Sequence, residues 1–306
     1  MLAFGEVLWD IIDGFPCIGG APLNFCGHCA QMGDDTHIIS SVGRDKLGHD
    51  AISILKGIGV SDKYVSEVSF PTGTVPVSLK EGIPNYDIKT GSAWDHILMD
   101  DCNFKEIINT NWDVFYLGTL AQRSVENRIL LDLLFDSEIK AEKVFFDINL
   151  RQNYFSEEII LKSFQRADIV KINDEELMIL KDMFNHVEMN DEDFSRFLIG
   201  QFELELLCIT YGEKGAVLYQ NDEQYVLLPD KVPLVSTVGA GDSFSAGLVH
   251  GLMTTGSITK AGELALEIAG SVVSHTGALL DYRDIKVHGT ELTLMEAVRG
   301  ICTNEL

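Results

Sequence analysis

Short apolar runs alternate with helix-like patterns along most of this chain, and that alternation limits its fold more than any single residue does. Val114 to Leu117, Val144 to Asp147, Ile169 to Ile172 and Leu206 to Thr210 each end in polar or glycine residues, and each is followed by a helical pattern. Short strands that are apolar throughout belong to parallel sheets buried on both faces, with helices as the crossovers. The strand-to-helix loops of such a sheet gather at the carboxyl ends of the strands, where ligands bind. With 306 residues, 46% of them hydrophobic, the chain can bury a substantial core.

Two regions break the alternation. Residues 10–18 and 68–92 contain Ile11-Ile12, Thr74-Val75-Pro76-Val77-Ser78-Leu79 and Tyr86-Asp87-Ile88, separated by Gly, Pro and Asn. They read as short antiparallel strands, too few to form a core of their own. A small β lid over the ligand crevice is expected there, and a decorative edge hairpin is the plainer alternative. Residues 1–9, 19–67 and 93–306 then form the α/β core, mainly helical from Ala240 through His275. An exposed face on a small lid favours pairing of two copies through it.

Charge and composition narrow the partners. Lys and Arg number 23 against 47 Asp and Glu, a net charge of -24. Such a field repels polyanions and argues against nucleic acid. ATP remains compatible, because a nucleotide meets a local site of amides, cations and metal. No apolar run reaches about 18 residues, so no membrane span is expected. The chain opens on strand-like Leu2-Ala3-Phe4, without the layout of a signal peptide. Its six cysteines are scattered. These features suit the cytoplasm. Cys26 and Cys29 have the spacing of a redox dithiol, but they fall inside a helix begun by Gly19-Gly20-Ala21-Pro22, and no second Cys/His pair completes a zinc site. Helix packing is the expected role.

The strongest chemical signal is Ser236-Thr237-Val238-Gly239-Ala240-Gly241-Asp242-Ser243-Phe244. Phe244, Leu248, Val249 and Leu252 follow with helical spacing, which puts the glycines at a helix start. Gly239 and Gly241 permit a tight bend and close approach. The amides of Ala240, Gly241 and Asp242 lack intrahelical acceptors and face the positive end of the dipole, so they can hold an anion such as a migrating phosphoryl group. Asp242 beside them suits a base that takes a hydroxyl proton; an acidic residue that merely stabilises the first turn would look the same. Walker, dinucleotide-binding, zincin and nucleophile-elbow motifs are missing.

Taken in order, eight segments resemble the ribokinase/PfkB carbohydrate kinases, most closely bacterial fructokinase-like members. They are Gly5-Glu6-Val7-Leu8-Trp9-Asp10, Gly19-Gly20-Ala21-Pro22-Leu23-Asn24, Val42-Gly43-Arg44-Asp45-Lys46-Leu47-Gly48, Thr72-Gly73-Thr74, Asp147-Ile148-Asn149-Leu150-Arg151, Lys171-Ile172-Asn173-Asp174-Glu175-Glu176, Thr210-Tyr211-Gly212-Glu213-Lys214-Gly215 and Gly239-Ala240-Gly241-Asp242. The resemblance implies a three-layer, ribokinase-like α/β fold with a mostly parallel sheet. It implies ATP-dependent phosphorylation of a sugar hydroxyl, fructose first, with ribose or a sugar acid such as 2-keto-3-deoxygluconate as alternatives. A silent sugar-binding protein on the same fold is a further alternative.

The same resemblance assigns roles residue by residue. Asp242 is the base, and Gly239, Ala240 and Gly241 form the anion hole. Asp10, Gly19, Gly20 and Asn24 meet the sugar; Asp45 contacts it or supports the loop. Arg151 and Lys171 are cations for phosphates or an acidic sugar, and Thr210, Gly212 and Gly215 lie on the nucleotide side, as does the Gly277-Ala278 turn. Asn173 and Glu176 bear on magnesium through water, with a helix cap as the local alternative. Family members often carry Asp-Thr where this chain has Ser236-Thr237, and that Asp is associated with a monovalent cation. The departure bears on potassium dependence.

Overall fold

The computed structural model describes residues 1–12, 14–80, 83–286, 293–296 and 298. Asp13, Glu81 and Gly82 of the expected lid lie outside the described residues, as do residues 287–292, 297 and 299–306 of the expected core.

The apolar runs become strands with both faces buried. The main sheet contains β1 (Leu2–Phe4), β4 (Thr36–Gly43), β5 (Val60–Ser61), β6 (Val65–Val68), β9 (Trp112–Gly118), β10 (Ala141–Asp147), β11 (Ile169–Asn173), β12 (Leu206–Thr210), β13 (Ala216–Gln220) and β14 (Glu223–Leu227); β2 (Leu8–Ile12), β3 (Phe15–Gly19), β7 (Gly73–Lys80) and β8 (Ile83–Tyr86) form a second. The main order is β14-β13-β12-β11-β10-β9-β1-β4-β5, with β6 also beside β4. Pairing is parallel from β5 to β12, and β13 and β14 add antiparallel strands at one edge.

Alternation splits each strand between two cores. Val114, Tyr116, Phe145, Leu206 and Cys208 face one cluster, joined by Leu23 and Phe25 of α1 (Ala21–Met32), Leu55 of α2 (Lys46–Gly57), Leu248 of α8 (Ala240–Thr255) and Leu264 of α9 (Ile258–Val273). Phe115, Leu117, Phe146, Val170 and Leu207 face the other, covered by α3 (Asp101–Asn109), α4 (Val125–Asp136), α5 (Glu157–Phe164), α6 (Asp174–Met183) and α7 (Asp191–Phe202). Each side chain leaves the pleat opposite to its neighbours, so an apolar strand fills both layers. The result is the three-layer ribokinase-like fold. The strand order runs out in both directions from β1, and a ligand crevice belongs at the carboxyl ends near that reversal.

The second sheet, ordered β3-β2-β7-β8, corrects two sequence-based expectations. β2 and β7 pair in parallel, so the small strands are not all antiparallel. The sheet also starts at Leu8 rather than residue 10 and takes in Gly19, because Leu8 pairs with both Gly19 and Gly73. Val68 belongs to the main sheet through its pairing with Gly43. Leu8, Val75, Ile88, Trp94 and Leu120 pack as a third apolar cluster, which seats the second sheet on the core.

Candidate active site

The start of α8 organises the site. Gly239 is its N-cap with φ 80° and ψ -4°, a left-handed conformation natural to glycine. A Cβ there would lie 2.6 Å from Ala278 Cβ and 2.7 Å from Ala278 Cα, so space demands glycine as well. No side chain caps the helix. Ala240 N–H donates to the Thr237 carbonyl at 3.3 Å, which narrows the open amides from the three expected to those of Gly241 and Asp242. These sit at the positive end of the helix dipole and suit an anion.

Asp242 lies in that first turn. Its Oδ2 accepts a 2.7 Å hydrogen bond from Asn24 Nδ2. Asn24 is presented by α1, whose N-cap Gly20 has φ 112°. Any side chain on Gly20 would strike the Glu6 carbonyl oxygen. Asn24 is buried, and its Oδ1 has no hydrogen-bond partner in the protein. A buried acceptor of this kind calls for a donor, and a hydroxyl group is one that fits.

Beneath α8 lies a buried ion pair. Asp147 and Lys171 are register partners on β10 and β11. Lys171 Nζ donates to Asp147 Oδ1 at 3.0 Å and Oδ2 at 3.2 Å. Ser245 Oγ donates to the same carboxylate at 2.9 Å. A Cβ on Gly241 would lie 3.0 Å from Lys171 Nζ, so the ammonium reaches the floor of the anion site. Burial works against the charged Lys171, but the carboxylates of Asp147, Glu176 and Asp242 outweigh it and raise its pKa. Burial pushes Asp147 up, and Lys171 pulls it back.

Asp10 stands on β2. A Cβ on Gly19 would lie 2.6 Å from Asp10 Oδ2, so glycine there makes room for the carboxylate. Burial, then the charge of Asp242, raises Asp10 to about 6, and Arg151 opposes the shift. Glu6 rises to about 7, mainly through burial, with Asp242 adding to it and Arg151 again opposing. Glu6, Asp10, Asp242 and Arg151 therefore share one electrostatic neighbourhood.

The remaining candidates fall around this centre with different commitments. Asp45 caps α2 by accepting from Gly48 N at 2.8 Å, and it also accepts from Thr72 N at 2.9 Å and Thr72 Oγ1 at 2.7 Å. Burial would raise it, but those hydrogen bonds hold it below the usual carboxylate range. Of the two roles expected for Asp45, these contacts display loop support. Thr210 ends β12, and a short helical turn from Gly212 to Lys214 leads to Gly215 with φ 96°. A side chain on Gly215 would strike the Leu227 carbonyl, whereas Gly212 faces open space.

Asn173 and Glu176 form a reciprocal capping box on α6. Glu176 Oε2 accepts from Asn173 N at 2.8 Å, and Oε1 accepts from Leu150 N at 2.8 Å. Among the described residues no group of three or more His, Cys, Asp or Glu could hold a metal. Both Glu176 oxygens already accept from backbone amides, which suits a role toward an ion met through water better than direct ligation.

Sequence reasoning gave no role to Asp147 and Glu6, although both lie in segments of the family resemblance, and it passed over Ser245. The signals were a carboxylate closing an apolar strand for Asp147 and the Gly5-to-Asp10 segment for Glu6, while the register with Lys171 and the reach of Ser245 appear only in three dimensions. Cys26 and Cys29 are buried on α1 as free thiols, and burial pushes Cys26 up to about 12. No helix among the described residues is long and apolar enough to cross a membrane.

A family model described as pfkB family carbohydrate kinase matches residues 17–284. The ATP-dependent 6-phosphofructokinase of Thermoanaerobacterium thermosaccharolyticum is 28% identical, over 93% of this chain and 91% of its own. The fructokinase of Escherichia coli is 27% identical, over 85% of this chain and 86% of its own. The solved structure of an uncharacterized sugar kinase from Pyrococcus horikoshii matches with a TM-score of 0.78 at 25% identity, covering 91% of this chain and 93% of that one. With a family match across most of its length, this chain belongs to the pfkB family of carbohydrate kinases and is an ATP-dependent sugar kinase.

Proposed function

We propose that the enzyme transfers the terminal phosphoryl group of ATP to a primary hydroxyl of a neutral sugar, with fructose the first candidate. One observation carries the reading: the Asp242 carboxylate, held 2.7 Å from Asn24 Nδ2, stands beside the uncapped start of α8. In this scheme Asp242 takes the proton of the attacking hydroxyl. The Gly241 and Asp242 amides and the Lys171 ammonium meet the charge on the transferred group, while Gly239 and Ala240 shape the turn. Asp10 and Asn24 bond sugar hydroxyls, and Gly19 and Gly20 let the sugar approach. The nucleotide lies toward Thr210, Gly212 and Gly215, and the second sheet closes over the sugar and limits hydrolysis. Magnesium, met through water by Asn173 and Glu176, would neutralise phosphate charge.

Charge favours a neutral acceptor. Glu6 and Asp10 are both raised by burial and by Asp242, with Arg151 opposing, so a second anion on the substrate would enter an acidic pocket. A polyol instead donates hydroxyls to those oxygens. Related kinases named for fructose and for 6-phosphofructose differ on this point.

Two measurements test the reading. Asp242→Ala is expected to lose nearly all turnover while still binding sugar and ATP; turnover close to wild type would remove the base assignment. A coupled ADP-release screen should cover fructose, tagatose, ribose, adenosine, fructose 6-phosphate and 2-keto-3-deoxygluconate. The highest kcat/KM is expected with a neutral ketose, and a clear preference for the phosphate or the acid would overturn the neutral class.

A further inference from the structure

His28 is completely buried on α1, one helical turn beyond Asn24, and so lies on the same face. Its ring touches a segment far away in sequence. Nε2 is 2.8 Å from the Ala278 carbonyl oxygen, and Nδ1 is 2.7 Å from the Tyr282 hydroxyl. A carbonyl can only accept, so the proton resides on Nε2, and Nδ1 accepts from Tyr282. Burial drives the ring pKa down to about 4, with the Ala278 hydrogen bond opposing, so the imidazole is neutral near pH 7. One tautomer in one orientation satisfies both contacts.

Ala278 is also the residue against which Gly239 packs. Two further ties join α1 to the same segment: Gln31 Oε1 accepts from Tyr282 N at 3.1 Å, and a Cβ on Gly27 would lie 2.7 Å from Leu279 Cδ2. A single helix therefore grips Asp242 through Asn24 and the wall behind Gly239 through His28.

We propose that His28, with Tyr282 behind it, is a positioning residue for phosphoryl transfer. It holds Ala278 against Gly239 and so aims the α8 amides, while the same helix holds the sugar-side Asn24. This rests on the α8 start being the phosphoryl site. The substitution His28→Leu removes both hydrogen bonds, and Tyr282→Phe removes only the hydroxyl. With ATP and fructose, or whichever acceptor of the screen is turned over, kcat per folded molecule should fall roughly 10- to 100-fold in His28→Leu, the scale of a small misplacement at a reacting centre. Tyr282→Phe should lose less, and the double variant should lose no more than His28→Leu alone, because the contacts act in series.

The sugar KM should stay within about twofold of wild type, since Asn24 is untouched; a purely structural role would lower the melting temperature and folded fraction with kcat per folded molecule unchanged. Asp242→Ala measured in parallel separates the two ideas. If it remains active, the site reading and this proposal both fall. If it is inactive while folded His28→Leu works at the wild-type kcat, only the positioning role is refuted. Should His28→Leu fail to fold, an unchanged kcat in Tyr282→Phe overturns the proposal.

Discussion

Removing one partner of the Lys171–Asp147 pair is expected to destabilise the enzyme far more than removing both. The two side chains are 7% and 0% exposed and 3.0 Å apart. A charge stranded at that depth costs about 3–5 kcal/mol, because its partner is gone and water does not replace it. With unfolding entropy near 2.1 cal/mol/K per residue, that corresponds to a fall in Tm of roughly 5 to 8 °C for a chain of this length. Lys171→Met and Asp147→Leu should each show this loss by scanning calorimetry. The double variant should recover most of it, since an apolar replacement of a buried pair is often close to neutral.

The pH dependence supplies a second, signed readout. In Lys171→Met the Asp147 carboxyl, already raised by burial, loses the cation that pulled it down. A carboxyl with a raised folded pKa contributes stability below its unfolded pKa, about 3.8, and loses it as pH rises. Lys171→Met should therefore melt closer to wild type at pH 5 than at pH 8. All three variants should lose turnover, because the ammonium beside Gly241 is removed or loses its anchor. Additive losses in the double variant, or a Lys171→Met protein with wild-type Tm at pH 8, would refute the reasoning.

Gly239→Ala should lower Tm by several degrees and kcat by about 100-fold or more, through left-handed strain, the collision with Ala278 and misdirected amides; wild-type melting and turnover would contradict it. Glu6, raised to about 7, contributes stability that is complete below its ordinary 4.5 and lost as pH climbs through 7. Glu6→Gln should accordingly gain stability relative to wild type between pH 5 and 8, by at most about 3 kcal/mol, and parallel Tm–pH curves would count against the assignment. Cys26 and Cys29 should resist iodoacetamide in the native enzyme while exposed Cys102 is alkylated, as peptide mass spectrometry can check. With Ser236 where the family resemblance implies Asp, rates in potassium and in a bulky organic cation should match; strong potassium activation would reject that view.

Much of the architecture was legible because strand and helix periods, glycine turns and helix starts are local properties. Val114 to Leu117 and Leu206 to Thr210 lie within strands, and the Gly239 turn does begin a helix. The second sheet was legible only in outline. Its edge at Leu8 depends on pairing with Gly19 and Gly73, which no local pattern records. Asp45 shows the same limit, since its commitment to Thr72 spans 27 positions.

The amino-acid sequence by itself determined the layered α/β class and the glycine-rich helix start with its acid, because backbone preference and burial period are written into neighbouring residues. Tertiary structure alone decided the electrostatic state of the site. Asn24 reaches Asp242 across 218 positions, Asp147 meets Lys171 across 24, and His28 meets Tyr282 across 254. Those meetings arise when parallel strands align and α1 packs on α8, so their chemistry exists only in the assembled fold.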